Sequence, residues 1–183
     1  MKEGFNFFRI KMEWTSEKED GALVKTKTEE LVLASNYTEA EKVAYAIAED
    51  QNRMKFSSSI SMDIVKTKIS ELLYNDALVH DETLVEGLVH NYFEESDDTG
   101  VGLYAVKVMY IEVDEKTGRE KYPVETIYTP AVSNIDAADF VKSYLKHNEI
   151  REFVIRDTKF DKAEAILWPV DIQETQANKF EAY

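Results

Sequence analysis

Cysteine is absent from this chain, which also has only six glycines and three prolines. Without cysteine, the protein lacks disulfides, thiolate metal sites and a cysteine nucleophile. The few glycines form neither a phosphate-cradling loop nor a dinucleotide-binding fingerprint. No apolar run is long enough to span a bilayer, and the N-terminal residues do not resemble a signal peptide. We therefore expect no membrane partner, and the absence of cysteine is compatible with a reducing cytosol.

Residues for metal binding or catalysis are also sparse. The chain has three histidines, of which His90 stands at helical spacing from Glu86 and Glu94. A metal site needs three or four convergent ligands, so this spacing alone is weak support. Carboxylate pairs identify no site in a chain with 36 acidic residues, and no Gly-x-Ser-x-Gly elbow is present. We expect no catalytic residues, no metal and no cofactor, and hence a protein that is not an enzyme.

Acidic charge is concentrated in one segment. Residues 75–102 hold eight acidic side chains and no Lys or Arg, so they carry more than half of the net charge of −14. The sequences on either side of this connector are close to balanced. A negative field of this kind repels phosphate backbones and attracts basic partners.

Two similar stretches flank the acidic connector, and each begins with an alternating strand. Side chains on a strand alternate between its two faces, so each strand supplies one apolar face to a core. The apolar residues are Phe8, Ile10, Met12 and Trp14 in the first stretch, and Tyr104, Val106, Val108 and Tyr110 in the second. A glycine-containing turn and a second strand follow in both, which is typical of a β-hairpin.

An amphipathic helix is predicted after each hairpin. The first has a capping box of Thr38 and Glu41, and the second has Asp136 as its expected cap. Apolar residues then recur at the spacing of one helical face. They are Ala40, Val43, Ala44, Ile47 and Ala48, and Ala137, Phe140, Val141, Tyr144 and Leu145. A returning strand follows each helix, and each stretch ends in a short apolar run, at 72–74 and 166–168.

The sequence therefore predicts an α+β protein with two tandem ββαβ repeats, each a helix packed on a small antiparallel sheet. The predicted bounds are 5–74 for the first repeat and 103–168 for the second. An acidic connector at 75–102 joins them and contains a helix over 81–92, and 169–183 form a polar C-terminal tail.

Two candidate surfaces follow from these patterns. Four acidic side chains in the connector are typical either of a solvated loop or of a docking surface for a basic protein: Glu94, Glu95, Asp97 and Asp98. The alternative is a sheet face that stacks single-stranded bases, with cations beside an aromatic ring: Lys107, Tyr122, Arg156 and Lys159. The net negative charge opposes nucleic acid, so the basic protein surface is the favoured partner.

The second repeat also differs from the first on the sheet face opposite its helix. Ala105, Met109 and Ile111 stand there, where the first strand of the first repeat carries mostly charged residues. We expect this apolar face to be covered, either by the connector helix or by another subunit, and a homo-oligomer is compatible with the sequence.

Three stretches carry a family resemblance: Lys11-Met12-Glu13-Trp14, Thr38-Glu39-Ala40-Glu41 and the hairpin at 107–118, which contains Asp-Glu-Lys-Thr-Gly. With them the chain resembles an uncharacterised family of gut Bacteroidetes and their crAss-like phages, a domain of unknown function. The resemblance covers both repeats, although this chain has a longer connector and a tail after Trp168. The resemblance implies a phage or mobile element in a bacterial cytoplasm and no known catalytic residues.

These observations favour a non-enzymatic phage or mobile-element accessory protein that binds another protein, in host interaction or anti-defence. Single-stranded nucleic-acid binding is the first alternative. A phage structural protein and a protein with an unrecognised nucleotide ligand are the others.

Overall fold

The computed structural model describes residues 4–56, 60–74, 79–85, 88–93, 100–169 and 178–179. Within these ranges the chain forms two helices and twelve strands, which confirms the predicted α+β class, with sheet as the larger part. The helices are α1 (Tyr37–Asp50) and α2 (Asn134–Asn148). The strands are β1 (Asn6–Glu17), β2 (Leu23–Ala34), β3 (Ser61–Lys66), β4 (Glu71–Tyr74), β5 (Val79–Val85), β6 (Leu88–Phe93), β7 (Gly102–Val113), β8 (Glu120–Lys121), β9 (Val124–Ala131), β10 (Glu152–Asp161), β11 (Ala165–Pro169) and β12 (Asn178–Lys179).

The strands form two sheets, which belong to two compact units. In unit 1 the strand order is β3-β1-β2-β11-β6-β5, and α1 belongs to the same unit. In unit 2 the order is β10-β7-β9-β4-β12, with β8 paired to the end of β7, and α2 belongs to this unit. Neither helix has the length and apolar character needed to cross a bilayer.

Both units build their core between one sheet face and one helix. In unit 1, Phe8, Ile10 and Met12 of β1 pack with Ala40, Ala44 and Ile47 of α1. In unit 2, Val106, Val108 and Tyr110 of β7 pack with Ala137, Val141 and Leu145 of α2. These are the alternating strand residues and helical stripes that the sequence identifies, because both periods place apolar side chains on one face.

The helices begin earlier than predicted. Asn36, not Thr38, caps α1 by accepting a hydrogen bond from the Glu39 amide, at 2.9 Å. Ser133, not Asp136, caps α2 by accepting from the Asp136 amide, at 3.1 Å. With these caps, a single alignment of α1 with α2 matches both their first residues and their buried apolar stripes.

The helix predicted over 81–92 is wrong, because the structure has β5 and β6 there. Only Glu86 and Gly87 separate the two strands in sequence, a length and composition typical of a β-hairpin connection. The strand β6 pairs antiparallel with β11, with Val89 opposite Trp168. Tertiary pairing thus overrides an apolar spacing that suits either a helix or a strand.

The short apolar runs at 72–74 and 166–168 do not pair with the hairpin that precedes them in sequence. Each joins the sheet of the other unit. Strand β4, at 71–74, pairs parallel with β9 in unit 2, with Leu72 opposite Tyr128. Strand β11 pairs parallel with β2 in unit 1, with Leu167 opposite Val32. Leu73 is therefore part of the unit 2 core and Leu167 part of the unit 1 core. Each unit is completed by a strand that follows the other hairpin and helix in sequence.

Candidate protein-binding surface

Unit 2 carries a group of apolar side chains on the sheet face opposite its helix. Strand pairing aligns them in rows, because Met109 of β7 lies opposite Val124 of β9 on one side and Val154 of β10 on the other. Ile111 and Val113 follow Met109 on the same face. We call these five residues the apolar face: Met109, Ile111, Val113, Val124 and Val154.

The apolar face is exposed. Its three valines, Val113, Val124 and Val154, are 59%, 51% and 44% exposed, and Met109 and Ile111 are partly buried. The sequence led us to expect that a helix of the connector or another subunit covers this face. In the described part of the connector, β5 and β6 stand where that helix was expected, and the three valines of the face are exposed. Contiguous exposed apolar side chains with a polar rim are typical of binding surfaces.

Polar and charged residues surround the apolar face. At one end of the face, beside the Met109 row, Lys107 lies opposite Asp157. At the other end, Glu152 lies opposite Ile111, and the Tyr122 hydroxyl donates a hydrogen bond to the Glu120 carboxylate. This contact raises the pKa of the Tyr122 hydroxyl.

The matching rows of unit 1 are charged. Glu13 lies opposite Lys27 on β2 and Ser61 on β3, in the places that correspond to Met109, Val124 and Val154. Its carboxylate forms ion pairs with Lys25, at 3.4 Å, and Lys27, at 3.6 Å. In these rows, unit 1 thus has mainly charged side chains where unit 2 has apolar ones.

The residues predicted for nucleic-acid binding are spread along the sheet of unit 2. Lys107 and Lys159 share the outer face of the unit 2 sheet, and Lys159 pairs with Asp157 at 3.5 Å. Arg156 is the extra residue where the pairing of β10 with β7 shifts register. Tyr122 lies beyond Val124, near Ile111, about 13 Å from Lys107 along the strand direction. The aromatic ring is therefore not adjacent to these cations, and the nucleic-acid alternative stays a prediction.

Other predicted site residues lie outside the described residues. These are the acidic docking residues Glu94, Glu95, Asp97 and Asp98, and the pair Glu86 and Glu94 of the weak metal-ligand spacing. In the ranges that the structure describes, no three His, Asp or Glu side chains are grouped as metal ligands.

An arginine packs over an aromatic ring in both units, which the sequence analysis did not anticipate. In unit 1 the Arg53 guanidinium lies 4.5 Å from the centre of the Trp14 ring. Arg53 also donates a hydrogen bond to Gln51, the C-cap of α1, at 2.8 Å. A buried carboxylate, Glu30, forms an ion pair with it at 2.5 Å. The arginine thus joins the helix end to the far end of β1.

Unit 2 has the same arrangement. The Arg151 guanidinium lies 3.9 Å from the centre of the Tyr110 ring, and Arg151 donates to Glu149, the C-cap of α2, at 2.9 and 2.8 Å. Its second carboxylate partner is Glu112, at 2.7 Å. Burial raises the pKa of the Tyr110 hydroxyl, so this ring stays neutral. In both units the arginine stands two residues after the helix C-cap and reaches the matching aromatic residue.

The Glu149 carboxylate predicts a pH-dependent stability of unit 2. Hydrogen bonds from the Arg151 side chain, then from the Arg151 and Ile150 backbone amides, lower the pKa of Glu149 from 4.5 to about 2. A carboxyl group with a lowered pKa stabilises the fold above its unfolded pKa, and this contribution is lost as pH falls through the folded value. We expect Glu149→Gln to cost about 1 kcal/mol at pH 7.

This cost should shrink as pH falls below 4.5 and be lost below about pH 2, where the wild-type carboxyl group is protonated. Urea unfolding at pH 7, 5 and 3 measures it, with exposed Glu115→Gln as the control. A cost that stays constant over this range would show that the carboxylate charge has no such role.

The family model of a domain of unknown function (DUF4494) matches residues 6–169, which is most of the chain and includes both units' helices. Comparisons with curated proteins and with solved structures gave no match.

Proposed function

Because the chain belongs to the domain of unknown function family DUF4494, whose name assigns no activity, we propose from its surface that the protein is a non-enzymatic binding protein. It docks a basic protein partner on the apolar face of unit 2. The single observation that supports this most is the exposure of Val113, Val124 and Val154 beside Met109, where unit 1 has charges.

Burial of the apolar face supplies the affinity in this proposal. Each valine or methionine that passes from water into an interface contributes up to about 1.5–3 kcal/mol, less for the part already buried. An apolar centre with a polar rim is the usual composition of protein interfaces. The rim residues Lys107 and Glu152 then fix the orientation of the partner and contribute less energy.

Charge selects the class of partner. The chain has a net charge of −14, and the segment at 94–98 contributes four of its acidic residues. Such a field accelerates association with a basic protein and disfavours nucleic acid. In the proposed role, Glu94, Glu95, Asp97 and Asp98 attract the partner, and the apolar face retains it. The resemblance to a family of Bacteroidetes and their phages supports a phage or mobile-element setting in a bacterial cytoplasm.

We also propose that the two ββαβ stretches arose by duplication. Both have the strand order returning strand, first strand, second strand, and both have a capped helix on the same sheet face. The arginine two residues beyond each helix C-cap, packed over the corresponding aromatic residue, supports a common origin further. In this account, the apolar face is the feature by which the second copy diverged.

A peptide selection tests the binding proposal without knowledge of the partner. The native chain is used as bait for a randomised peptide display library, and the enriched peptides are synthesised. We expect them to combine basic and apolar residues and to bind more weakly at high salt. The variant M109Q/V124T/V154T should reduce their affinity at least about tenfold, because it makes the apolar face polar at constant charge.

The matched control is Glu13→Gln with Lys27→Gln, which alters the corresponding rows of unit 1 at constant net charge. This variant should bind within about twofold of the native chain. Equal effects of the two variants would contradict the proposed surface. Binding of labelled single-stranded oligonucleotides at low salt, with no enriched peptide, would replace it with the nucleic-acid alternative.

A further inference from the structure

Strand β3 ends the sheet of unit 1. It pairs antiparallel with β1 over six consecutive residues, from Lys66 opposite Phe8 to Ser61 opposite Glu13, with no shift of register. In the part of the chain that the structure describes, no strand pairs with its other side. A straight, unpaired strand edge presents a row of amide and carbonyl groups that can pair with another strand.

One hydrogen bond fixes which groups of β3 point outward. The Thr67 amide donates to the Phe7 carbonyl at 2.9 Å, so the Phe7–Thr67 pair is a hydrogen-bonded pair. Bonded and non-bonded pairs alternate along antiparallel strands. The backbone groups of Val65, Asp63 and Ser61 therefore face β1. Those of Met62, Ile64 and Lys66 face the open edge.

The corresponding edge of unit 2 has a different form. Strand β10 pairs with β7, but its register shifts between Ile155 and Asp157, and this shift inserts Arg156. Bulges and charged residues on an edge are features by which proteins prevent unwanted strand pairing. The edge of unit 2 has such a bulge, whereas β3 carries Asp63 and Lys66 but has a continuous register.

Apolar side chains lie beside the open edge of β3 on the helix side of the sheet. Ile60, Met62 and Met54 are partly buried against the unit 1 core. A strand added at this edge would place every second side chain over them, and flexible methionines adapt to varied partners. On the other face, Asp63 is exposed and lies opposite Lys11 of β1, and Val65 beside it is 50% exposed.

From this geometry we propose that β3 is a second binding site, which takes an extended peptide of another protein by strand addition. The peptide alternates apolar residues, which cover Ile60, Met54 and Met62, with basic residues on the side of Asp63. The net charge of −14 favours that basic side. Backbone hydrogen bonds to Met62, Ile64 and Lys66 supply the affinity, as in other complexes formed by strand addition.

The probe is a fluorescein-labelled octapeptide of alternating valine and lysine, with affinity measured by fluorescence polarisation. Two isomers are compared, one N-methylated at the valine amides and the other at the lysine amides. Only alternate amides of an added strand face its neighbour. One isomer should therefore bind at least about tenfold more weakly than the parent peptide, and the other should bind within about threefold.

Protein variants locate the site. Lys66→Pro removes an amide that faces the open edge and leaves the ladder with β1 intact, because proline is tolerated on edge strands. It should weaken the parent peptide about tenfold, while Lys66→Gln, which removes only the charge, should weaken it less than threefold.

Equal binding by both isomers, or equal effects of Lys66→Pro and Lys66→Gln, would overturn strand addition at β3. The variant M109Q/V124T/V154T should leave the affinity of this peptide unchanged. Failure of this site is thus distinguishable from failure of the apolar face of unit 2.

Discussion

Replacement of Glu30 by isoleucine should lower the free energy of unfolding of unit 1 by about 3–5 kcal/mol. Glu30 and Arg53 are only 2% and 4% exposed, and two short contacts join the carboxylate to the guanidinium, at 2.5 and 3.3 Å. Without Glu30, the buried guanidinium retains Thr28 and Gln51 as hydrogen-bond acceptors but has no counter-charge. Its Nε already has no acceptor among the described residues.

Isoleucine is the informative substitution because Ile127 occupies the corresponding core position of unit 2. The double variant Glu30→Ile with Arg53→Leu should recover most of the loss and unfold within about 1–2 kcal/mol of the native protein. Removing both charges eliminates the cost of burying them, although the contact of Arg53 with Trp14 is also lost.

Urea unfolding followed by tryptophan fluorescence measures this cycle, because Trp14 and Trp168 both belong to unit 1. The control Glu29→Gln, at the neighbouring partly exposed carboxylate, should cost less than about 1 kcal/mol. A single variant as stable as the native chain, or a double variant no better than the single, would show that the pair is not electrostatically coupled.

Leu167→Ala should destabilise unit 1, and Leu73→Ala should destabilise unit 2, each by about 2–5 kcal/mol. Both side chains are fully buried, Leu167 in the core of unit 1 and Leu73 in the core of unit 2. Truncation to alanine removes apolar contacts and leaves a cavity, because the surrounding core relaxes only in part. Each effect should appear in the unit that the residue completes, although the other hairpin and helix precede it in sequence.

Hydrogen exchange read by mass spectrometry assigns the loss to a unit. Leu167→Ala should accelerate exchange in β1, β2 and α1, and Leu73→Ala in β7, β9 and α2. Ile150→Ala is the control, since this side chain is fully exposed and its loss should cost less than about 0.5 kcal/mol. If Leu167→Ala instead affected unit 2 and Leu73→Ala affected unit 1, the finding that β11 completes unit 1 and β4 completes unit 2 would be refuted.

Periodic patterns made much of the fold predictable. The alternation of β1 and β7 and the stripes of α1 and α2 predict the right elements. Each pattern extends over many residues, and its apolar residues face one core. The caps were misplaced because Asn36, Thr38, Ser133 and Asp136 are all good N-cap residues. Only packing decides which residue begins the helix.

Non-local pairing was not predictable. Residues 72–74 and 166–168 are similar apolar runs, and neither composition nor spacing states which sheet each joins. The expected helix over 81–92 failed for the same reason, because its apolar residues also suit strands that pair with β11. Short apolar segments carry little information about their partners.

The candidate surface was predictable only in part. Met109 and Ile111 stand out as apolar where the first hairpin is mostly charged, but Val124 and Val154 join them only through strand register. The arginine–aromatic contacts had no local signal, because Arg53 and Trp14 are brought together by the packing of α1 on β1.

Methionine methyl NMR tests the proposed binding surface most directly. Among the described methionines, Met109 reports on the apolar face, Met54 and Met62 on the β3 edge, and Met12 on the buried core. With a basic peptide selected for affinity, the Met109 methyl signal should shift as the site saturates, while the Met12 signal stays in place. A peptide that binds tightly and leaves the Met109 signal unchanged would contradict the proposal that this face is the docking site.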